Sequence, residues 1–171
     1  PNVRNTVDAL KAYTTARAAD LFSKFSVLSK EELHSRYDIY QETYAKQINI
    51  EALTVVHMAR RQFIPAAIDY ATMLAGSIGA VKDAGGSAKT QEKLLKQISA
   101  LTDAASAKVE ALEAATAAAA AIEDVTKRAE TYRDKVFTGC VEVRAEIDAL
   151  EKLLPWDLWP VPTYTELLYK L

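Results

Sequence analysis

Glycine and proline are scarce, five of each in 171 residues, which excludes a fold of many strands joined by tight turns. A single cysteine, Cys140, leaves no internal disulfide framework and fits a reducing compartment. Only two histidines, His34 and His57, are available to a metal site. The charge is nearly balanced, 21 basic against 23 acidic residues for a net of −2, so there is no basic footprint for nucleic acid or an anionic membrane. No run reads as the roughly 20 apolar residues of a membrane span, and no signal peptide is recognisable. The chain opens at Pro1 without a methionine, which reads as a piece of a longer or tagged polypeptide.

What remains is helical pattern. Asn5 or Thr6 can cap a short first helix, and Thr14 or Thr15 a second carrying Ala18, Leu21, Phe22 and Phe25 on one side. Ser29 with Glu32 has the spacing of a capping box. From there Leu33, Tyr37, Tyr40, Tyr44, Ile48, Ala52 and Val55 recur at steps of three or four and define an apolar stripe. Pro65 lacks an N–H and its ring crowds the preceding turn, so a kink or break is expected near Phe63–Ile64. Gly85-Gly86 marks a turn at 84–87.

Beyond it the stripe continues through Leu94, Ile98, Leu101, Ala105, Val109, Leu112, Ala115, Ala119 and Ile122, then Val125, Ala129, Tyr132, Val136, Cys140, Val143, Ile147, Leu150 and Leu154. Two successive steps of four around Val136 suggest a register slip, with a local bend at Gly139. Read as one helix over 88–154, this segment would be about 100 Å long and would need partners along its length. The Ala114–Ala121 tract would allow close helix approach. The expected fold is all-α: short helices over 5–26, a long kinked helix over 30–84 and a long helix over 88–154. Together these make an elongated antiparallel hairpin thickened into a three- or four-helix bundle at 1–154. Residues 155–171 break the pattern with Pro155, Pro160 and Pro162. They carry Trp156, Leu158 and Trp159, and Thr163 with Glu166 repeats the capping-box spacing. This reads as a docking tail with a short terminal helix.

The search for chemistry yields no catalytic, cofactor-binding or metal residue. Glu31-Glu32-Leu33-His34 contains Glu-x-x-His, but His57 has Thr54 three residues before it, so the second motif of a di-metal bundle is missing. Cys140 lies on the apolar stripe as a small hydrophobe. Gly76, Gly79, Gly85 and Gly86 do not make a phosphate loop; the first two would ease close packing or weaken their helix. Tyr37, Tyr40 and Tyr44 read as core or interface rather than a ligand box. Arg36, Arg60 and Arg61 read as solvated or ion-paired. Glu123-Asp124 with Lys127-Arg128 reads as an exposed face of i,i+4 pairs.

Several long stretches carry a family resemblance. SRYDIYQETYAKQINIEALT followed by MARRQFIPAAIDY, the opening NTVDALKAY, FSKFSVLSKEEL, and the closing VRAEIDALEKL and WPVPTYTELLY together resemble the C-terminal helical region of type III glutamine synthetases. Three places depart from that family's pattern: Ser26 where glycine is expected, Thr138-Gly139-Cys140 inside a helix, and Pro155-Trp156 where acidic residues are expected. The resemblance implies a large cytoplasmic parent enzyme that joins ammonia to glutamate with ATP and magnesium, built as two stacked hexameric rings. Its active site would lie in a preceding barrel-like domain. The implied role of this chain is a non-catalytic accessory bundle, with the catalytic domain of the same polypeptide and neighbouring subunits as partners, and neither nucleic acid nor membrane. The alternative is a stand-alone or engineered helical interaction module derived from the same family.

Overall fold

In the computed structural model, which describes residues 3–169, helices follow one another and no strand forms among the described residues. In chain order they are α1 (Thr6–Leu10), α2 (Ala16–Lys24) and α3 (Lys30–Met58), then a π-helical turn (Ala59–Phe63) leading into α4 (Ile64–Asp83). After the glycine turn come α5 (Lys89–Ala120) and α6 (Val125–Thr131), a second π-helical turn (Tyr132–Val136), α7 (Phe137–Glu151) and the terminal α8 (Tyr164–Tyr169). Pro1, Asn2, Lys170 and Leu171 lie outside the described residues, the last two at the end of the expected tail.

The caps follow from the side chains. Asn5 accepts from Asp8 N and Thr15 from Ala18 N, opening α1 and α2. The box before α3 is reciprocal: Glu32 N donates to Ser29 Oγ at 3.1 Å and Ser29 N to Glu32 Oε2 at 2.7 Å. The backbone hydrogen bond from Ser29 N, the largest cause, holds the Glu32 carboxyl below the usual range. Pro65 does not break the helix. Ile64 N reaches back to Ala59 O instead, so one wide turn accommodates the ring and the missing donor, and α4 continues to Asp83. The second wide turn, closed by Phe137 N to Tyr132 O, falls on the two successive steps of four. A π-turn holds more residues than an α-turn, so Tyr132 and Val136 both stay buried.

The chain divides into two compact units, Pro1–Ala52 with Ala114–Thr138, and Leu53–Glu113 with Gly139–Leu171. In the second, α4 and α5 form an antiparallel hairpin: Lys82 pairs with Glu92 beside the glycine turn at 2.5 Å, and Arg60 pairs with Glu113 at the other end. In this unit α7 lies antiparallel to α5, with Lys108 on Glu146 at 2.5 Å and Leu112 against Gly139. A Cβ on Gly139 would come within 3.1 Å of Leu112 Cδ1, so the glycine is a point of close approach. The core holds Ala67, Leu74, Ile98, Ala105, Val109, Leu112, Val143, Ile147 and Leu150. At about 1.5–3 kcal/mol for each large side chain, this burial is the main favourable term.

In the first unit, α6 runs alongside α3 in the same direction. Tyr37 Oη meets Thr126 Oγ1 at 3.3 Å, Arg128 reaches Glu42 at 3.8 Å, and Tyr132 Oη donates to Asn49 at 3.0 Å. The expected single helix over 88–154 is therefore corrected: it stops at Ala120, and a new one starts at Val125. Asp124 accepts from Lys127 N at 2.7 Å as the cap of α6. Its carboxylate is thus spent on backbone rather than on the expected i,i+4 pair, and Arg128 turns to Glu42. Within the alanine tract Ala119 and Thr116 are buried, Ala115 is half-buried, and the other alanines are exposed.

One further expectation is corrected. The buried stripe of α3 is Leu33, Gln41, Ala45, Ile48 and Ala52; Tyr40 is exposed and Tyr37 and Tyr44 are half-buried. The rings sit beside the stripe because each keeps a polar tip toward solvent or a partner. The apolar side of α2 buries no residue, and Leu21 and Phe25 are exposed.

Candidate functional site

The residues singled out by sequence do not converge. His34 and His57 are both exposed, and Glu32 is committed to its cap. No group of three or more His, Cys, Asp or Glu side chains able to hold a metal comes together among the described residues. Cys140 is half-buried in α7. Tyr40 packs edge-on against Tyr13 with centroids 6.1 Å apart, while Tyr37 turns to Thr126, so the tyrosines share no box. Arg60 forms a two-pronged pair with Glu113, and the hydrogen bond to Arg60 lowers the Glu113 pKa. Arg36 and Arg61 are exposed. Among the described residues, a Cβ placed on Gly76 or Gly79 would meet no atom within 4 Å.

The densest charge cluster ties α1 to the second π-turn. Arg133 reaches Asp8 at 2.8 Å and Asp134 at 2.6 Å, and Lys11 bridges Asp8 at 3.1 Å and Glu130 at 3.4 Å. Hydrogen bonds from Asn5, then Lys11, lower the Asp8 pKa. The hydrogen bond with Asp134 is the main cause raising Arg133. Every charge here has an opposite neighbour, which suits fastening a short helix and leaves no poised acid or base.

Two surfaces are less settled. α4 buries only Ala67 and Leu74. The Lys30–Asp83 run contains an 18-residue window of mean hydropathy 1.3, of which 11% is buried. By length and composition that window could cross a membrane, which was not expected from the sequence, where its alanines and glycines dilute the apolar signal. Ile68 and Met73 are more than half exposed on it. The other surface is the tail. Trp159 is buried and stacks on Phe63 at 5.0 Å, whereas Trp156 is 76% exposed. Trp156 helps line a groove of about 650 Å³ with Asp148, Glu151, Lys152, Thr163, Thr165 and Glu166. The sequence signalled the tail's apolar content and the box that starts α8, in which Glu166 N donates to Thr163 Oγ1 at 3.3 Å. It gave no sign of the groove, which depends on how the proline-rich backbone folds back.

Residues 1–82 match the family described as the glutamine synthetase C-terminal domain. The chain is 28% identical to a glutamine synthetase of Butyrivibrio fibrisolvens, over 100% of its own length and 25% of that protein. It is 24% identical to a glutamine synthetase of Bacteroides fragilis and 28% identical to a type-3 glutamine synthetase of Dictyostelium discoideum, in each case over 98% of its length and 24% of the relative. The chain thus spans about a quarter of the length of these relatives.

Proposed function

We propose, from the match of residues 1–82 to the glutamine synthetase C-terminal domain family, that this chain is the accessory helical domain of a longer, type III glutamine synthetase. In this reading it packs on the catalytic part of the same polypeptide and supports contacts between subunits of a cytoplasmic oligomer. Glutamine formation from glutamate, ammonia and ATP with magnesium takes place elsewhere in that polypeptide. Carboxylates such as Glu32, Asp124, Glu113 and Asp8 are engaged in caps and ion pairs, a poor set for holding a metal–nucleotide complex.

The observation that carries the proposal is α4. In this reading the cover of α4, an apolar helix with two buried residues, is another part of the larger assembly. The test is Met73→Glu in the full-length parent. Assembly in sedimentation and glutamine synthesis should both fall, while the isolated chain with the same substitution should melt unchanged. An assembled, fully active parent would overturn the reading. The isolated chain should make no glutamine with glutamate, ammonia, ATP and magnesium. A stand-alone interaction module is the second reading. It is favoured by the stacking of Trp159 on Phe63, in which the tail docks on its own chain.

A further inference from the structure

Helix α2 is tied down at both ends, yet none of its residues is buried. Leu21 and Phe25 are 54% and 66% exposed, and Val27 just beyond the helix is 60% exposed. Leu21 and Phe25 are four residues apart, so they stand on one side of the helix. The neighbouring Phe22 meets Tyr13 with ring centroids 5.9 Å apart, and Tyr13 packs edge-on against Tyr40 of α3. One flank of α2 thus rests on its own unit, and the Leu21–Phe25 side faces solvent.

α2 is not a loose arm. Thr15 caps its start. Its end is closed by Ser26 N to Ser23 O at 3.0 Å and Val27 N to Phe22 O at 2.9 Å, and the Ser29–Glu32 box follows at once. α1 before it is fastened by the buried Val7 and Leu10 and by Asp8 to Arg133 at 2.8 Å. An ordered helix that presents large apolar side chains loses little conformational freedom when a partner covers it.

The place of α2 in the chain identifies that partner. On the accessory-domain reading, on which this inference rests, the matched family is a C-terminal domain and the relatives are about four times as long. Most of the parent polypeptide then precedes residue 1 and joins at α1, which lies in the same compact unit as α2. A body attached at that point meets α2 at a high effective concentration, whereas a separate molecule bears the full cost of association. The charges add a second constraint. Arg17 and Lys24 are seven residues apart, on the flank next to Leu21. Both are exposed, and neither has an ion pair among the described residues. The complementary surface is therefore apolar with carboxylates along one edge.

We propose that the Leu21, Phe25 and Val27 side of α2 seats on the part of the synthetase polypeptide preceding residue 1, on an apolar surface whose edge carries carboxylates facing Arg17 and Lys24.

The test is full-length synthetase carrying Val27→p-benzoylphenylalanine, irradiated and mapped by peptide. The expected product joins position 27 to a peptide that precedes residue 1. Crosslinks confined to these 171 residues, in the same or a second copy, would overturn the proposal, as would crosslinks to another protein or none at all. Adding Phe25→Ser should lower the crosslink yield about tenfold or more, and an unchanged yield would show that the apolar side of α2 is not the contact. Trypsin gives an independent reading, because it cuts after Arg17 and Lys24. Phe25→Ser in the full-length protein should speed both cuts about tenfold or more; equal rates sink the seat. Met73→Glu tests the accessory reading separately. Assembly lost in that variant, with no crosslink from position 27, removes the α2 seat alone. Assembly and synthesis untouched by Met73→Glu remove the accessory reading.

Discussion

Ser26 and Gly85 occupy the same position in the same helix-ending motif, both in the left-handed region, with φ of 54° and 77°. After α2, Ser26 N bonds Ser23 O and Val27 N bonds Phe22 O; after α4, Gly85 N bonds Lys82 O and Gly86 N bonds Val81 O. Glycine reaches this backbone shape at no steric cost, whereas serine crowds its Cβ against the carbonyl. Ser26 is also where the family pattern leads one to expect glycine. Ser26→Gly should therefore raise stability by about 1 kcal/mol, a few degrees in Tm. Thermal melts of the two proteins check it. A lower Tm would mean that the Ser26 side chain contributes more than its strain costs.

Gln41 is fully buried, and neither side-chain amide atom has a hydrogen-bond partner. An unsatisfied buried polar group costs about 1–3 kcal/mol. Leucine has similar volume and sits well in a stripe of Leu33, Ala45, Ile48 and Ala52. Gln41→Leu should stabilise by about 1–2 kcal/mol in chemical denaturation, with the slope against denaturant unchanged. A loss of stability would reveal a water or partner satisfying the amide.

These two residues show where the sequence was readable. Helix existence, both capping boxes and the stripe from Ile98 to Leu154 follow from periodicity and short-range chemistry, and burial agrees with them. The interruption between Ala120 and Val125 was hidden because the periodic stripe runs across it unbroken, and the only local signal is Asp124 as a cap. Gln41 was hidden because a polar residue among tyrosines looks like the solvent side. The groove was hidden because it joins α7 to α8 through backbone that no periodicity describes.

The pH dependence follows from direction. Asp8, Asp134, Glu32, Glu92 and Glu113 all have lowered pKa values, caused first by hydrogen bonds from Asn5, Arg133, Ser29, Lys82 and Arg60 respectively. A lowered carboxyl pKa gives stability that is present above the unfolded value, about 4, and lost as pH falls through the folded one. Tyr132 and Tyr44 are raised by desolvation, so the folded state resists their ionisation and stability falls again above about pH 10. Tm should be level from about pH 5 to about pH 9, fall below that range and fall again above about pH 10. A Tm that rises below pH 4 would contradict the assignment.

The glycines separate by environment. Gly76 and Gly79 lie within α4 with open space where a Cβ would be, whereas Gly139 has Leu112 there. Gly76→Ala and Gly79→Ala should each stabilise the isolated chain by up to about 1 kcal/mol through helix propensity. Gly139→Val should destabilise it, because α7 and α5 would have to move apart. Equal effects at all three positions would show that the α5–α7 approach is not as close as described.

Leu112 is 1% exposed and faces Gly139, so it lies where α5 and α7 come nearest within their unit. Leu112→Asp removes a large apolar side chain and places a carboxylate where water cannot reach it. Losing the side chain costs about 2–5 kcal/mol as a cavity. The uncompensated charge adds several more, or forces the group to protonate. That total is comparable with the whole stability of a domain, so circular dichroism should show lost helicity at neutral pH. Leu112→Met, which keeps volume and polarity, should cost less than about 1.5 kcal/mol and leave helicity intact. Retained helicity and melting temperature in the aspartate variant would show that the stripe does not run through Leu112, and with it the α5–α7 register would fall.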